Sequence, residues 1–93
     1  MAFEWDPKKN ALNVRKHGID FVDACTMFDG PCLEQPDERF DYGEDRMVAF
    51  GEMGPYVVAV VYVARGIHRR LISARLATQQ ERKAFYEAIY GKE

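Results

Sequence analysis

The longest apolar stretch, Tyr56 to Ala64, is continuous and rich in β-branched residues. It predicts a strand buried on both faces at the centre of a sheet. Strand-like segments flank it, Glu44 to Gly51 before and Ile67 to Arg75 after, across the turns Met53-Gly54-Pro55 and Arg65-Gly66. Turns this short pair adjacent strands antiparallel. Phe3-Glu4-Trp5 alternates and predicts a brief opening strand, and Cys32-Leu33-Glu34 predicts an edge strand before a polar loop through Pro36 and Asp37.

Three segments instead carry the period of a helix. Asp6-Pro7 supplies a capping side chain and a proline that loses nothing at the first helical position. That helix is expected to end at His17, with Gly18 as a left-handed stop. Asp20 caps a second helix, in which Phe21, Ala24, Cys25 and Phe28 form an apolar stripe and Asp29-Gly30-Pro31 ends it. Thr78-Gln79-Gln80-Glu81 is a capping box. The helix it opens carries Phe85, Ala88 and Ile89 on one side and stops at Gly91. The pattern predicts an α+β fold: a small antiparallel sheet of four to five strands, two N-terminal helices and one C-terminal helix.

A chain of 93 residues with 47% hydrophobic content builds one core, so residues 1–93 are expected to form a single domain. The opening residues have neither a basic nor an apolar signal region, which predicts a cytoplasmic protein. Cys25 and Cys32 match no zinc or redox spacing and read as small buried hydrophobes.

Charge divides the chain. Residues 1–45 hold five Lys/Arg against eleven Asp/Glu, whereas residues 46–93 hold eight against four. Such asymmetry suggests one surface that attracts anions and another suited to a basic partner. Four arginines, Arg65, Arg69, Arg70 and Arg75, fall within eleven residues on the central hairpin, and Arg46 lies on the preceding strand. Guanidinium groups bind phosphate through a planar fork that stays charged. Strand alternation puts Arg69 and Arg75 on one parity and Arg70 on the other.

His17, with Lys16, lies at a helix C-terminus where the dipole favours its charged form, which suits a proton donor. Glu44 near Arg46 is a candidate base, or else half of a surface ion pair. Trp5 and Tyr62 can stack on bases, though Trp5 suits core packing equally. No Gly-rich phosphate loop, HExxH or paired-carboxylate metal motif occurs, so no metal or cofactor is expected.

Phe3-Glu4-Trp5-Asp6, Lys16-His17-Gly18, Asp20-Phe21 with Ala24 and Phe28, Gly43-Glu44 with Arg46, and Arg70-Leu71-Ile72-Ser73-Ala74-Arg75 with Ala77, Glu81 and Tyr86 occur in series over nearly the whole chain. In that order they resemble the BrnT family. The resemblance implies a RelE-like fold and a ribonuclease toxin of a type II toxin–antitoxin pair. It implies neutralisation by a BrnA-type antitoxin, typically as a 2:2 complex, with DNA contacted only through the antitoxin and no membrane involved. Metal-independent cleavage of RNA would then be expected to draw on Arg65, Arg70, Arg75, Glu44, His17 and Lys16. Arg46, Arg69 and Trp5 would bind the RNA. The expectation is that several guanidinium groups converge on one phosphate-sized pocket. The alternative is a binding module of little or no activity that acts in an autoregulatory complex with its antitoxin.

Overall fold

The structure is a computed structural model that describes residues 2–38 and 43–91. Its elements are β1 (Ala2–Glu4), α1 (Pro7–His17), α2 (Phe21–Ala24) with a 3-10 continuation (Cys25–Asp29), β2 (Cys32–Pro36), β3 (Met47–Met53), β4 (Tyr56–Arg65), β5 (His68–Leu76) and α3 (Gln79–Tyr90). They form one five-stranded sheet in the order β1-β5-β4-β3-β2. Strands β3, β4 and β5 are antiparallel, as the short turns predict, β2 pairs antiparallel with β3 across a longer connection, and β1 adds to the far edge of β5 in parallel. The expected α+β layout is present, with β4 at its centre. Strand β3 begins at Met47 rather than at Glu44. Part of the polar loop predicted after Pro36, residues 39–42, lies outside the described residues.

Each face of the sheet has its own core. On the first face, Phe21, Ala24 and Met27 pack with Val58, Val60, Tyr62, Leu71 and Ala74. The predicted stripe ran through Cys25 and Phe28 at helical spacing. The 3-10 turn instead brings in every third residue, so Met27 is buried and Phe28 only partly so. Met27 lies beneath Gly51, where an added Cβ would come within 3.0 Å of its sulfur. On the second face, α3 lays Phe85 and Ile89 over Val48, Phe50, Val57, Ala59 and Val61. Both predicted caps that matter here form. Asp6 accepts from the Lys8 amide at 2.9 Å, and Thr78 and Glu81 complete a capping box on α3.

Helix α1 does not lie on a face. It is fastened along the free edge of β5 by Asn13, one of the few buried polar residues. Its Nδ2 donates to the Ala74 and Ile19 carbonyls at 2.8 and 2.9 Å, and its Oδ1 accepts from the Ala74 amide at 3.0 Å. The side-chain amide therefore does for Ala74 what a neighbouring strand would do. One helical turn earlier, Asn10 accepts from the Phe21 amide and donates to Asp20, which orients the start of α2.

A β-bulge decides where the arginines point. Val61 pairs with Ser73 and Tyr62 with Leu71, which leaves Ile72 as the extra residue on β5. Leu71 and Ala74 consequently share the first-face core although three positions separate them. Parity reverses across Ile72. Arg70 and Arg75 thus share the second face, opposite Val63 and Ala59, and Arg69 takes the first face. This corrects the grouping of Arg69 with Arg75 that simple alternation predicts.

Candidate functional site

Strand β1 ends at Glu4, opposite Arg70, and Asn13 engages β5 at Ala74. Between these two points the edge of β5 is uncovered, and α1 closes over it as the far wall of a cleft. The cleft holds about 220 Å³ and is lined by Lys9, Leu12, Asn13, Lys16, His17, Ile72 and Ser73. Lys9, Lys16 and His17 lie at i, i+7 and i+8, a spacing that aligns them on one side of a helix. Neither lysine has an ion-pair partner among the described residues. The bulge that reverses strand parity is also what presents Ile72 and Ser73 to this cleft.

His17 is held below its ordinary value of 6.5, first by desolvation and then by the charges of Lys16 and Arg75. The helix-dipole argument predicts the opposite direction. Here burial and two nearby cations outweigh a partial charge that fades within one turn. The lowering favours the neutral imidazole, which suits His17 to accept a proton rather than to supply one.

Four of the five candidate arginines meet a carboxylate. Arg70 pairs with Glu4 at 2.8 Å, Arg75 with Glu81 at 2.7 Å, Arg69 with Glu34 at 3.4 Å and Arg46 with Glu44 at 3.3 Å. They do not gather on one phosphate-sized pocket. Arg70 and Arg75 lie opposite residues four apart on β4, roughly 13 Å along the strand. Arg69 lies on the other face, 4.4 Å from the Phe28 ring centroid and 5.0 Å from that of Tyr62. Tyr62 donates its hydroxyl to the same Glu34 that Arg69 contacts. Arg65 is exposed at the β4–β5 turn, with no ion pair among the described residues.

The Arg75 pairing does not use every donor of its guanidinium. Arg75 spends Nη1 on the Leu76 carbonyl and Glu81 Oε1, and one Nη2 hydrogen on Glu81 Oε2. Among the described residues its Nε–H and second Nη2–H have no partner, and that edge of a guanidinium matches two phosphate oxygens.

Other candidates are placed elsewhere. Glu44 is exposed before β3, two strands away from the β5 edge and beyond the opposite end of the sheet from Arg75. It cannot share a reacting atom with His17. Trp5 packs edge-on to Phe21, with ring centroids 5.8 Å apart, against the first-face core. Cys25 and Cys32 are free, half-buried thiols whose burial pushes Cys25 up to about 11 and raises Cys32 as well. Lys9 and Ser73 were not singled out from sequence. The helical spacing of Lys9 to Lys16 was the available signal for the first. Nothing local announced the second, because its exposure depends on the bulge.

Among the described residues no group of three or more His, Cys, Asp or Glu could hold a metal ion. No helix among them is long and apolar enough to cross a membrane.

Comparison with curated protein sequences gives no significant match. Among solved structures the chain is similar to the Brucella abortus ribonuclease toxin BrnT, known from a 1.1 Å crystal structure. The two are 32% identical with a TM-score of 0.70, over 85% of this chain and 99% of that one. Residues 5–81 match the family model described as the ribonuclease toxin BrnT of type II toxin–antitoxin systems. That span contains α1, the bulged β5 and the Glu81 cap, and the chain belongs to the BrnT family of ribonuclease toxins.

Proposed function

We propose that this chain is an endoribonuclease whose chemistry takes place in the α1–β5 cleft. A ribose 2′-oxygen attacks the adjacent phosphorus as His17 Nε2 or Nδ1 takes its proton. The bond from phosphorus to the 5′-oxygen breaks, and the Lys16 ammonium protonates the departing oxygen. The products are a 2′,3′-cyclic phosphate and a free 5′-hydroxyl. Arg75, which lines the neighbouring pocket with Glu81 and whose charge reaches His17, adds positive potential as charge builds on the phosphorane-like transition state. Protein groups alone carry both proton transfers, so the cut proceeds without a metal.

The observation that carries this reading is one cleft that brings an imidazole together with two ammonium groups that have no ion-pair partner among the described residues, with the charge of Arg75 close enough to lower the imidazole. It moves the base from Glu44, where the sequence suggested it, to His17. The test is purified protein with RNA in EDTA. Cleavage should be undiminished by the chelator, and His17→Ala should cost about 10²–10⁴ in rate. A strict magnesium requirement, or full activity of His17→Ala, overturns the assignment.

Membership of a type II family implies a protein antitoxin. We assign a BrnA-type partner in a 2:2 complex, docked through basic groups on the acidic first half of the chain. Millimolar-to-molar salt should weaken that contact if charge dominates it. DNA would be reached only through the antitoxin.

One observation favours the binding-module alternative: Arg46, Arg69, Arg70 and Arg75 each meet a carboxylate. Expression of the chain alone in bacteria separates the two readings. Growth arrest relieved by His17→Ala or Arg75→Ala in a folded protein supports the enzyme, and harmless accumulation of folded wild type supports the module.

A further inference from the structure

We infer that a second cavity, next to the α1–β5 cleft along β5, is a nucleobase subsite that selects a guanine beside the scissile phosphate; the inference rests on the ribonuclease reading above.

Ser73 and Arg75 lie on the second face of the sheet, opposite Val61 and Ala59. Ser73 lines the cleft, and Arg75 lines a separate cavity of about 330 Å³. Two residues along a strand are about 7 Å apart, the order of one nucleotide step. The Arg75 charge also reaches His17 in the cleft. An RNA strand held in the cleft can therefore bring its next nucleotide to the second cavity.

The lining of that cavity suits a base better than a phosphate. Val48 and Phe50, both buried, and Pro36 supply apolar surface for a flat ring. Carboxylates outnumber the one guanidinium, so the polyanionic backbone is repelled and stays with Lys9 and Lys16 in the cleft. Of the three carboxylates, Glu81 is spent on Arg75 and the Thr78 amide. Asp37 is buried, with its amide donating to the Arg46 carbonyl at 2.8 Å. Glu38 is exposed and has no partner among the described residues, so it is the acceptor left for a ligand.

A carboxylate offers two oxygens and no donor. Guanine alone among the four bases sets two neighbouring donors, N1–H and the N2 amino group, on its Watson–Crick edge. Adenine and cytosine place a ring-nitrogen lone pair beside their one amino group, and uracil flanks its single N–H with two carbonyls. Each of these turns a lone pair towards the carboxylate, which an unpaired base held at its edge cannot avoid.

The test is cleavage of RNA with a randomised segment, mapping the ends produced by wild type and by Glu38→Gln, with thermal melting to confirm that both are folded. Wild type should favour guanine at one position flanking the cut, and Glu38→Gln should shrink that preference by about ten- to a hundredfold. Inosine, which lacks the N2 amino group, should cost wild type about tenfold at that position and Glu38→Gln much less. Preference for another base, or a guanine preference and inosine penalty that survive Glu38→Gln, overturns the inference. So does an active wild type with no base preference, which would leave the cavity to a basic side chain of a protein partner. Wild-type protein that cuts no RNA removes the ribonuclease reading and this inference together.

Discussion

Asn13→Ala takes away three hydrogen bonds at once. The Ala74 N–H and C=O lose the side-chain amide that pairs them, and the Ile19 carbonyl loses one donor. Asn13 is only 6% exposed, so water does not reach these groups freely. A buried donor or acceptor left unmet costs about 1–3 kcal/mol. With partial relief by water entering the vacated space, the expected loss is about 3–4 kcal/mol in all. That is a large share of the roughly 5–10 kcal/mol available to a domain of this size. Asn13→Asp should be at least as harmful at neutral pH, because a carboxylate oxygen would then face the Ala74 and Ile19 carbonyls. Its cost should shrink in acid, where a protonated carboxyl regains one donor. Urea unfolding of wild type and both variants at neutral and mildly acidic pH reads all of this. A loss below about 1 kcal/mol for Asn13→Ala, with the unfolding slope unchanged, would show that α1 is held to β5 by something other than this amide. The cleft would then need a different account of its rigidity.

Lys16→Gln removes one of the two charges that depress His17, so the imidazole titration followed by NMR should move up towards 6.5; no movement would mean that burial and Arg75 set it without Lys16. Arg75 holds the Glu81 carboxyl down at about 2 against an ordinary 4.5. A depressed carboxylate stabilises the fold fully above 4.5 and ceases to do so as pH falls through 2. Stability should therefore drop by about 1–2 kcal/mol over that window after allowance for solvent screening, and Glu81→Gln should flatten the drop in an acid titration. Gly51→Ala places a Cβ 3.0 Å from the Met27 sulfur and 3.2 Å from its Cβ, which should cost about 1–3 kcal/mol by overpacking, measurable by denaturant midpoint.

The parts of the fold that could be read in advance are those whose causes are local. Asp6-Pro7, Gly18, Asp20 and the Thr78–Glu81 box announce helix ends because each capping group lies within three residues of what it caps. Tyr56 to Ala64 announces a central strand because burial on both faces leaves no alternation. What escaped was non-local. The parallel pairing of β1 with β5 joins residues more than sixty positions apart. The bond from Asn13 to Ala74 spans a similar interval. The bulge at Ile72 mattered most for the site: one extra residue inverted the parity that alternation assigned to Arg69, Arg70 and Arg75. The same limit explains Glu44. Its neighbour Arg46 was visible in the sequence, but its distance from His17 is set by the order of the strands. His17 itself was legible as a candidate, whereas the direction of its titration depended first on burial, which exists only after folding.

The most direct test of where and how RNA is cut uses two otherwise identical oligonucleotides, one with a single 2′-deoxyribose on the 5′ side of the cleaved bond. The account predicts that the all-ribose strand yields a 2′,3′-cyclic phosphate end, in EDTA, and that the substituted strand survives at that bond. Cleavage of the deoxy-substituted bond, or a 5′-phosphate on the downstream fragment, would contradict attack by the 2′-oxygen and with it the roles given to His17, Lys16 and Arg75.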